Sequence, residues 1–484
     1  MLKTVKRGMD MLDNLLQVIK DEGVAEQLFH SLIGIEVEAY RVDKEGRLSE
    51  QPYPRKLGKH EYHPYLKADK TKTKFEVVTD PNPNIGGVLD QLDTLQTAFY
   101  RSLEGDDRIW PLSAPPRANG TTNGTVNSDE LTTGVHVNYS IPDPVINRLY
   151  SHYQSEYATV IEFKNNLYLR MMQNFICNRW LLTYLFGASP ESTHSAFSKI
   201  DHPVRSIRNS DLGFVNLTTK KLSYASVEAH IADLNQQIKL GQLATIADYQ
   251  APIRMRGSET PDTLKSIGAR YLEIRALDNT PFTSNGISRH ALYFMKFFMI
   301  DLMVRPVDTS RLSAILQLGI EKNNRVALEL PTAHTYLENE GVSIFSDLKV
   351  LASELNAHIE QTAALDDLFE VMTHPELTPA VMIYNRAGNQ AIDSFALSVA
   401  TRWRTERLSS RKLLPAIGRL SHKAQQVILI AIQRGIQYYQ IKDEQGGDLL
   451  MLTYESITQV ILMIDIEKYE PEQLIHKLFP TFEM

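Results

Sequence analysis

Four short segments place ionisable side chains at alternate positions between apolar ones, and an extended strand is what gives that spacing a single polar face. In Gly34-Ile35-Glu36-Val37-Glu38 the two carboxylates project one way and Ile35 and Val37 the other. In Lys74-Phe75-Glu76-Val77-Val78, Glu76 stands opposite Phe75 and Val77. His136 and Asn138 share a face in Gly134-Val135-His136-Val137-Asn138, as do Glu273 and Arg275 in Tyr271-Leu272-Glu273-Ile274-Arg275. Taken singly, each reads as a half-solvated antiparallel strand. Together the polar faces carry four glutamates and one histidine, with little of the Thr/Lys mixture of an ordinary wet face. Clustered acids repel unless cations lie among them, and hard divalent ions take oxygen ligands with an occasional imidazole. If the strands share one sheet, Glu36, Glu38, Glu76, His136 and Glu273 would form a Mg²⁺ (or Mn²⁺) cage, to which Asp69 could add a ligand from the loop before Glu76.

The rest of the chain bounds what such a site can serve. With 484 residues, 43% of them hydrophobic, a large core is within reach. A net charge of −7 gives no polyanion-binding surface, so nucleic acid is not an expected partner. Cys177 is the single cysteine, which excludes an intrachain disulfide and a cysteine-based metal site and fits a reducing, cytoplasmic compartment. The N-terminus reads as helix to about Leu32 and lacks the apolar run of a signal peptide. The most apolar stretch, Ala291–Val304, is interrupted by Lys296 and Asp301, so it predicts a buried helix and no membrane span. Helical spacing also covers Val88–Leu103 and Pro144–Phe186, while Ala118–Asp129 has loop composition. From about Ser288 onward the chain reads as almost wholly helical, with breaks at Pro306, Pro331, Pro375 and Pro415. The expected fold class is α+β: one domain over residues 1–484, with a sheet-containing core at 1–330 and a mainly helical C-terminal region at 331–484. The oligomeric state is open.

Several blocks resemble the bacterial glutamate–cysteine ligase family. Gly34-Ile35-Glu36-Val37-Glu38 is similar to its GLExE strand, and the His63–Thr79 stretch, with Asp69 and Glu76, to its TDF…LE(L/F)IT segment. Trp110-Pro111-Leu112-Ser113 matches the start of WPLSMPP, and Gly134–Ser140 resembles SG(I/V)HxNFS. Tyr184–Pro190 reads YLFGASP, as in the family, and Arg205–Asn216 resembles S(I/L)RxSDxGYxN. Ala251-Pro252-Ile253-Arg254 and Tyr271–Phe282 match APIR and Y(I/L)E(V/L)RSLDxNPF. The blocks keep family order over roughly residues 30 to 330.

The resemblance implies a curved antiparallel sheet of the glutamine synthetase catalytic type. It also implies a reaction in which ATP phosphorylates the γ-carboxylate of L-glutamate and the amine of L-cysteine displaces phosphate from γ-glutamyl phosphate, the first step of glutathione biosynthesis. Carried over, Glu36, Asp69, Glu76, His136 and Glu273 are Mg²⁺ ligands, and Glu38 serves a metal near the ATP phosphates. Arg275 stabilises the transferred phosphoryl group, and Arg208 holds the acceptor's α-carboxylate. Three departures bear on the acceptor and the nucleotide. Ala118–Asp129 replaces a tyrosine-bearing YRxxLxxxYG segment. Lys70 stands where an aromatic usually follows the metal aspartate, with Phe214 where some relatives have tyrosine. Leu330-Pro331-Thr332-Ala333-His334-Thr335 follows Ala327-Leu328-Glu329 in place of the basic, glycine-bearing part of LEGRKPGLT. A different amine acceptor, or a catalytically weak regulatory paralogue, are the alternative readings. A fused ATP-grasp glutathione synthetase domain is not expected in a chain of this length.

Overall fold

The computed structural model describes residues 12, 14–58, 63–68, 73–116, 132–190, 200, 202–213, 222–388 and 392–480. The four alternating segments all lie in one antiparallel sheet. Its strands are β1 (Leu32–Val42), β2 (Leu66–Ala68), β3 (Lys74–Val78), β4 (Arg108–Ile109), β5 (Val135–Ser140), β6 (Ile253–Arg256) and β7 (Tyr271–Leu277). The order is β2-β3-β1-β5-β7-β6, with β4 alongside β1. Ile35, Val37, Phe75, Val77, Val135, Val137, Leu272 and Ile274 are all buried on one face. That face meets the helices Ile85–Ser102, Val160–Asn178 and Arg289–Val304 in a single apolar cluster. Phe75 stacks on Phe99 of the first helix, ring centroids 4.1 Å apart. The polar positions are thereby left on the opposite face.

Arg289–Val304 is the buried helix its sequence predicts, started by the Ser288 hydroxyl accepting from the Ala291 amide. Its two charges are satisfied in place. Lys296 donates to the carbonyls of Phe29 and Pro83, and Asp301 pairs with Arg305 at 3.0 Å. Among the described residues no helix is long and apolar enough to cross a membrane.

The chain differs from its sequence reading at both ends. The described part of the N-terminal segment holds two short helices, Leu15–Asp21 and Ala25–Phe29, broken at Gly23, whose φ of 61° ends the first. The C-terminal part is not wholly helical. It contains a three-stranded meander, β8 (Gln437–Lys442), β9 (Asp448–Tyr454) and β10 (Ile457–Leu462). Gly446, at φ 84°, turns the first hairpin while the Asp443 carboxylate accepts from the Gln445 and Gly447 amides. Glu455, at φ 51°, turns the second. Leu449-Leu450-Met451-Leu452 is apolar on both faces, so it carries no period-two signal even though only Leu450 and Leu452 are buried.

The C-terminal helices are tied to the sheet layer by Arg407, in the helix Ile392–Ser409. Its guanidinium reaches Asp93 at 2.6 Å, Thr97 and Gln96 at 2.9 Å, and the Ser284 carbonyl at 3.0 Å. The main apolar cluster runs from Leu12 to Phe479.

Candidate active site

Strand register brings the polar residues together. Glu38 lies opposite Glu76 across β1 and β3, and Glu36 opposite His136 across β1 and β5. Asn138 faces Glu273 across β5 and β7, and Glu273 faces Arg254 across β7 and β6. Between Val137↔Ile274 and Val135↔Leu277, β7 carries two residues, Arg275 and Ala276, against the single His136. This bulge sets the direction of Arg275, as bulges beside functional sites commonly do. The strands thus floor a cleft of ≈ 560 Å³, lined by all of these acids, His136, Lys67, Arg254, Arg256, Tyr271 and Arg275.

The imidazole of His136 is the hub. Its Nδ1 lies 3.3 Å from Glu36 and 3.7 Å from Glu273, and its Nε2 3.6 Å from Glu38. The Asn138 amide donates to Glu36 at 2.7 Å. Burial alone would push every carboxyl here upward. For Glu36 the bond and charge of His136, with Asn138, outweigh burial and hold it at about 2. For Glu38, burial is outweighed by His136, Arg275, Lys74 and Arg208, which hold it below the ordinary range. For Glu273, burial is outweighed by Arg254 first and then Arg275 and His136, which hold it far down. For Glu76 the one cation that opposes burial, Lys67 across β2 and β3, is outweighed. Burial, then the charges of Glu36 and Glu38, push it up to about 8, so in the ion-free site Glu76 holds the proton of the cluster.

Two observations fit a divalent cation here. The Nε2 of His136 is buried without a hydrogen-bond partner. Ligand atoms of Glu36, His136 and Glu273 also lie within 4.8 Å of one another, with Glu38 and Glu76 alongside. A cation would replace the Glu76 proton and relieve the repulsion. Glu273 enters such a set only in competition. Its oxygens already accept from Arg254 at 2.8 and 3.0 Å and from Arg275 at 2.9 Å, with Arg256 at 3.1 Å. Sequence reading gave Arg254 and Arg256 no role. The same signal was present, since Ile253-Arg254-Met255-Arg256 also alternates, but four residues are a short run. Asp69, Lys70, Ala118–Asp129 and Phe214 lie outside the described residues.

Arg208 adjoins the cleft without lining it. It is buried, its Nη1 donates to the Arg275 carbonyl at 2.7 Å, and it fills the space a side chain at Gly134 would need. Several other motif residues hold the corner around it. Asp278 is fully enclosed and accepts, each at 2.8 Å, from the Ala188 amide and the Ser189 and Ser206 hydroxyls. Asn279 donates to the Glu38 carbonyl at 2.8 Å, and its amide donates to the Ser113 hydroxyl at 2.8 Å. Four separate blocks of sequence therefore meet at two adjacent residues. Cys177 is half-buried, and burial raises its thiol to about 11, which gives no nucleophile.

Residues 16–128, 126–244 and 215–325 match the protein family described as glutamate-cysteine ligase. Among curated proteins, the "Glutathione biosynthesis bifunctional protein GshAB" of Enterococcus faecalis is 28% identical over 474 residues, covering 92% of this chain and 62% of that protein. Its counterpart in Streptococcus mutans is 27% identical over 462 residues, covering 90% and 60%. The chain thus spans about three fifths of the length of the curated relatives it matches. Among solved structures, a bifunctional glutathione synthetase from Pasteurella multocida superposes with a TM-score of 0.84 at 25% identity, over 92% of this chain and 62% of that one. A glutamate–cysteine ligase from Francisella tularensis, in complex with AMP, shares the fold with a TM-score of 0.68 at 22% identity, over 83% of this chain and 94% of that one.

Proposed function

Because the chain belongs to the glutamate–cysteine ligase family, we propose that it joins the γ-carboxylate of L-glutamate to the amine of L-cysteine through γ-glutamyl phosphate, consuming ATP with Mg²⁺ or Mn²⁺ in the cytoplasm as the first step of glutathione biosynthesis. The observation that carries this reading is one cleft holding an acid–histidine cluster beside the guanidinium groups of Arg254, Arg256 and Arg275. A carboxylate resists attack by an amine because an oxide-like oxygen would have to leave, and phosphorylation supplies a leaving group. Phosphoryl transfer spreads negative charge over equatorial oxygens, and divalent cations with an arginine fork stabilise that charge without covalent catalysis.

In this reading Glu36, Glu76, His136 and Glu273 hold the cations, with Asp69 from the loop, and Glu38 serves the ion nearest the phosphates. Arg275, aimed by the β7 bulge, steadies the transferred phosphoryl group through its planar fork. Arg208 commits Nη1 to the Arg275 carbonyl and offers the rest of its guanidinium to the acceptor's α-carboxylate. The test is ADP release with Mg²⁺, ATP and L-glutamate against a panel of L-cysteine, L-2-aminobutyrate, L-alanine, L-serine and L-aspartate. ADP release that requires glutamate and rises with cysteine is expected. Hydrolysis indifferent to glutamate would overturn the reading.

A further inference from the structure

A second cavity, of ≈ 930 Å³, shares no lining residue with the acidic cleft. It lies between the end of the Val160–Asn178 helix, the 222–225 and 249–252 segments and the start of the helix Leu312–Ala327. Tyr224, Tyr249 and Leu316 represent its largely apolar and aromatic wall, and Ser310 and Ser313 set hydroxyls on its exposed rim. Arg179 is the only charged residue among the described residues that line it.

That arginine is placed at a cost. Its side chain is half-buried, and its Nε is closed to solvent and has no hydrogen-bond partner. Among the described residues no carboxylate pairs with it. Burial pulls it down to about 10, with Tyr224 opposing the shift. Arg407 spends its donors on Asp93, Thr97 and Gln96, and Arg254 on Glu273. Arg179 does not. It stands between two helices, as the last cap of Val160–Asn178 and the first cap of Trp180–Phe186. An Nε–H shut off from water without an acceptor carries a penalty, and an anionic ligand that accepts from it removes that penalty.

We propose that this cavity binds a small organic anion, a carboxylate or phosphate monoester on an aromatic or aliphatic body, whose charged end pairs with Arg179. The apolar wall takes the body and the planar fork takes two oxygens at once. Arg179 also lines a small pocket of ≈ 120 Å³ with Arg275, but the cavity shares no lining residue with the acidic cleft, and the inference does not rest on the ligase reading.

The full chain is titrated calorimetrically with phenyl phosphate, 4-phenylbutyrate, the neutral 4-phenylbutanol and inorganic phosphate. At least one aromatic anion should bind, roughly tenfold or more tightly than both the alcohol and inorganic phosphate. The tighter of the two names the headgroup. Arg179→Met, with Arg179→Gln as a second variant, should lose that affinity by a similar factor and retain ligase turnover. Without ligand the variants should melt higher than the parent, because the enclosed Nε–H without an acceptor has gone. Equal binding of the alcohol, equal binding of inorganic phosphate, or no binding of either aromatic anion at millimolar concentration would each overturn the proposal. So would lower melting of both variants, which would mark Arg179 as a structural residue, or loss of turnover in both, which would make the cavity part of the reaction site.

Discussion

Glu76 holds its proton because Glu36 and Glu38 stand beside it and nothing cationic outweighs them. Glu76→Gln keeps the shape of the protonated acid and removes the repulsion. The substitution should raise the melting temperature of the ion-free protein at neutral pH. It should also cut turnover by roughly 10²-fold or more, the scale of losing a group that organises transition-state charge. Melting curves with EDTA beside steady-state rates with Mg²⁺ check both halves, and near-normal turnover would remove Glu76 from the mechanism. These residues were legible because a strand of period two declares its polar face in the sequence. What the sequence could not declare was the register that sets Glu38 against Glu76 and Glu36 against His136. Nor could it show that Glu273 is claimed by three arginines, one of them two residues along its own strand and two on a four-residue neighbour.

At the scale of elements, the C-terminal part is joined to the sheet at His63, just ahead of β2. Its Nδ1 accepts from the Tyr65 and Leu66 amides, so Nε2 carries the hydrogen that is donated to the Ile432 carbonyl at 2.7 Å. The ring is held neutral. Burial, against the Ile432 carbonyl and helped by Lys67, lowers its pKa from 6.5 to about 4. The unfolded chain therefore takes up a proton below pH 6.5 that the folded one refuses until about 4, and stability falls as pH falls through that window. The loss approaches ~3 kcal/mol at the acid end, at 1.36 kcal/mol per unit. Urea midpoints from pH 7 to 4.5 for the parent and His63→Gln should differ in slope, and parallel curves would assign the acid sensitivity elsewhere. The meander that follows was missed for a related reason. Its strands are specified by two turns and by packing against this helix end, and the residues within them alternate weakly.

For the molecule as a whole, one apolar cluster spanning Leu12 to Phe479 leads us to propose that residues 1–330 and 331–484 unfold together. Calorimetry should give a single transition, and a separately expressed 1–330 fragment should fail to fold, whereas two resolved transitions would divide the chain. ATP should raise that transition when Mg²⁺ or Mn²⁺ is present and much less in excess EDTA, by linkage, and equal stabilisation in EDTA would remove the cation cage. Asp278 and Asn279 carry a last consequence. They gather Ala188, Ser189 and Ser206, the Ser113 hydroxyl and the Glu38 carbonyl into one corner, so much of the most recognisable sequence is keystone and little of it is tool. In a saturation-mutagenesis screen the two kinds of damage should separate by address. Alleles at the corner would lower the amount of protein in the cell at any temperature, while alleles at Glu36, Glu76 or His136 would leave abundant protein and no product. An inheritance of these signature blocks is therefore a record of shape kept, and the alternate positions of three short strands are where a lineage could fall silent without showing it.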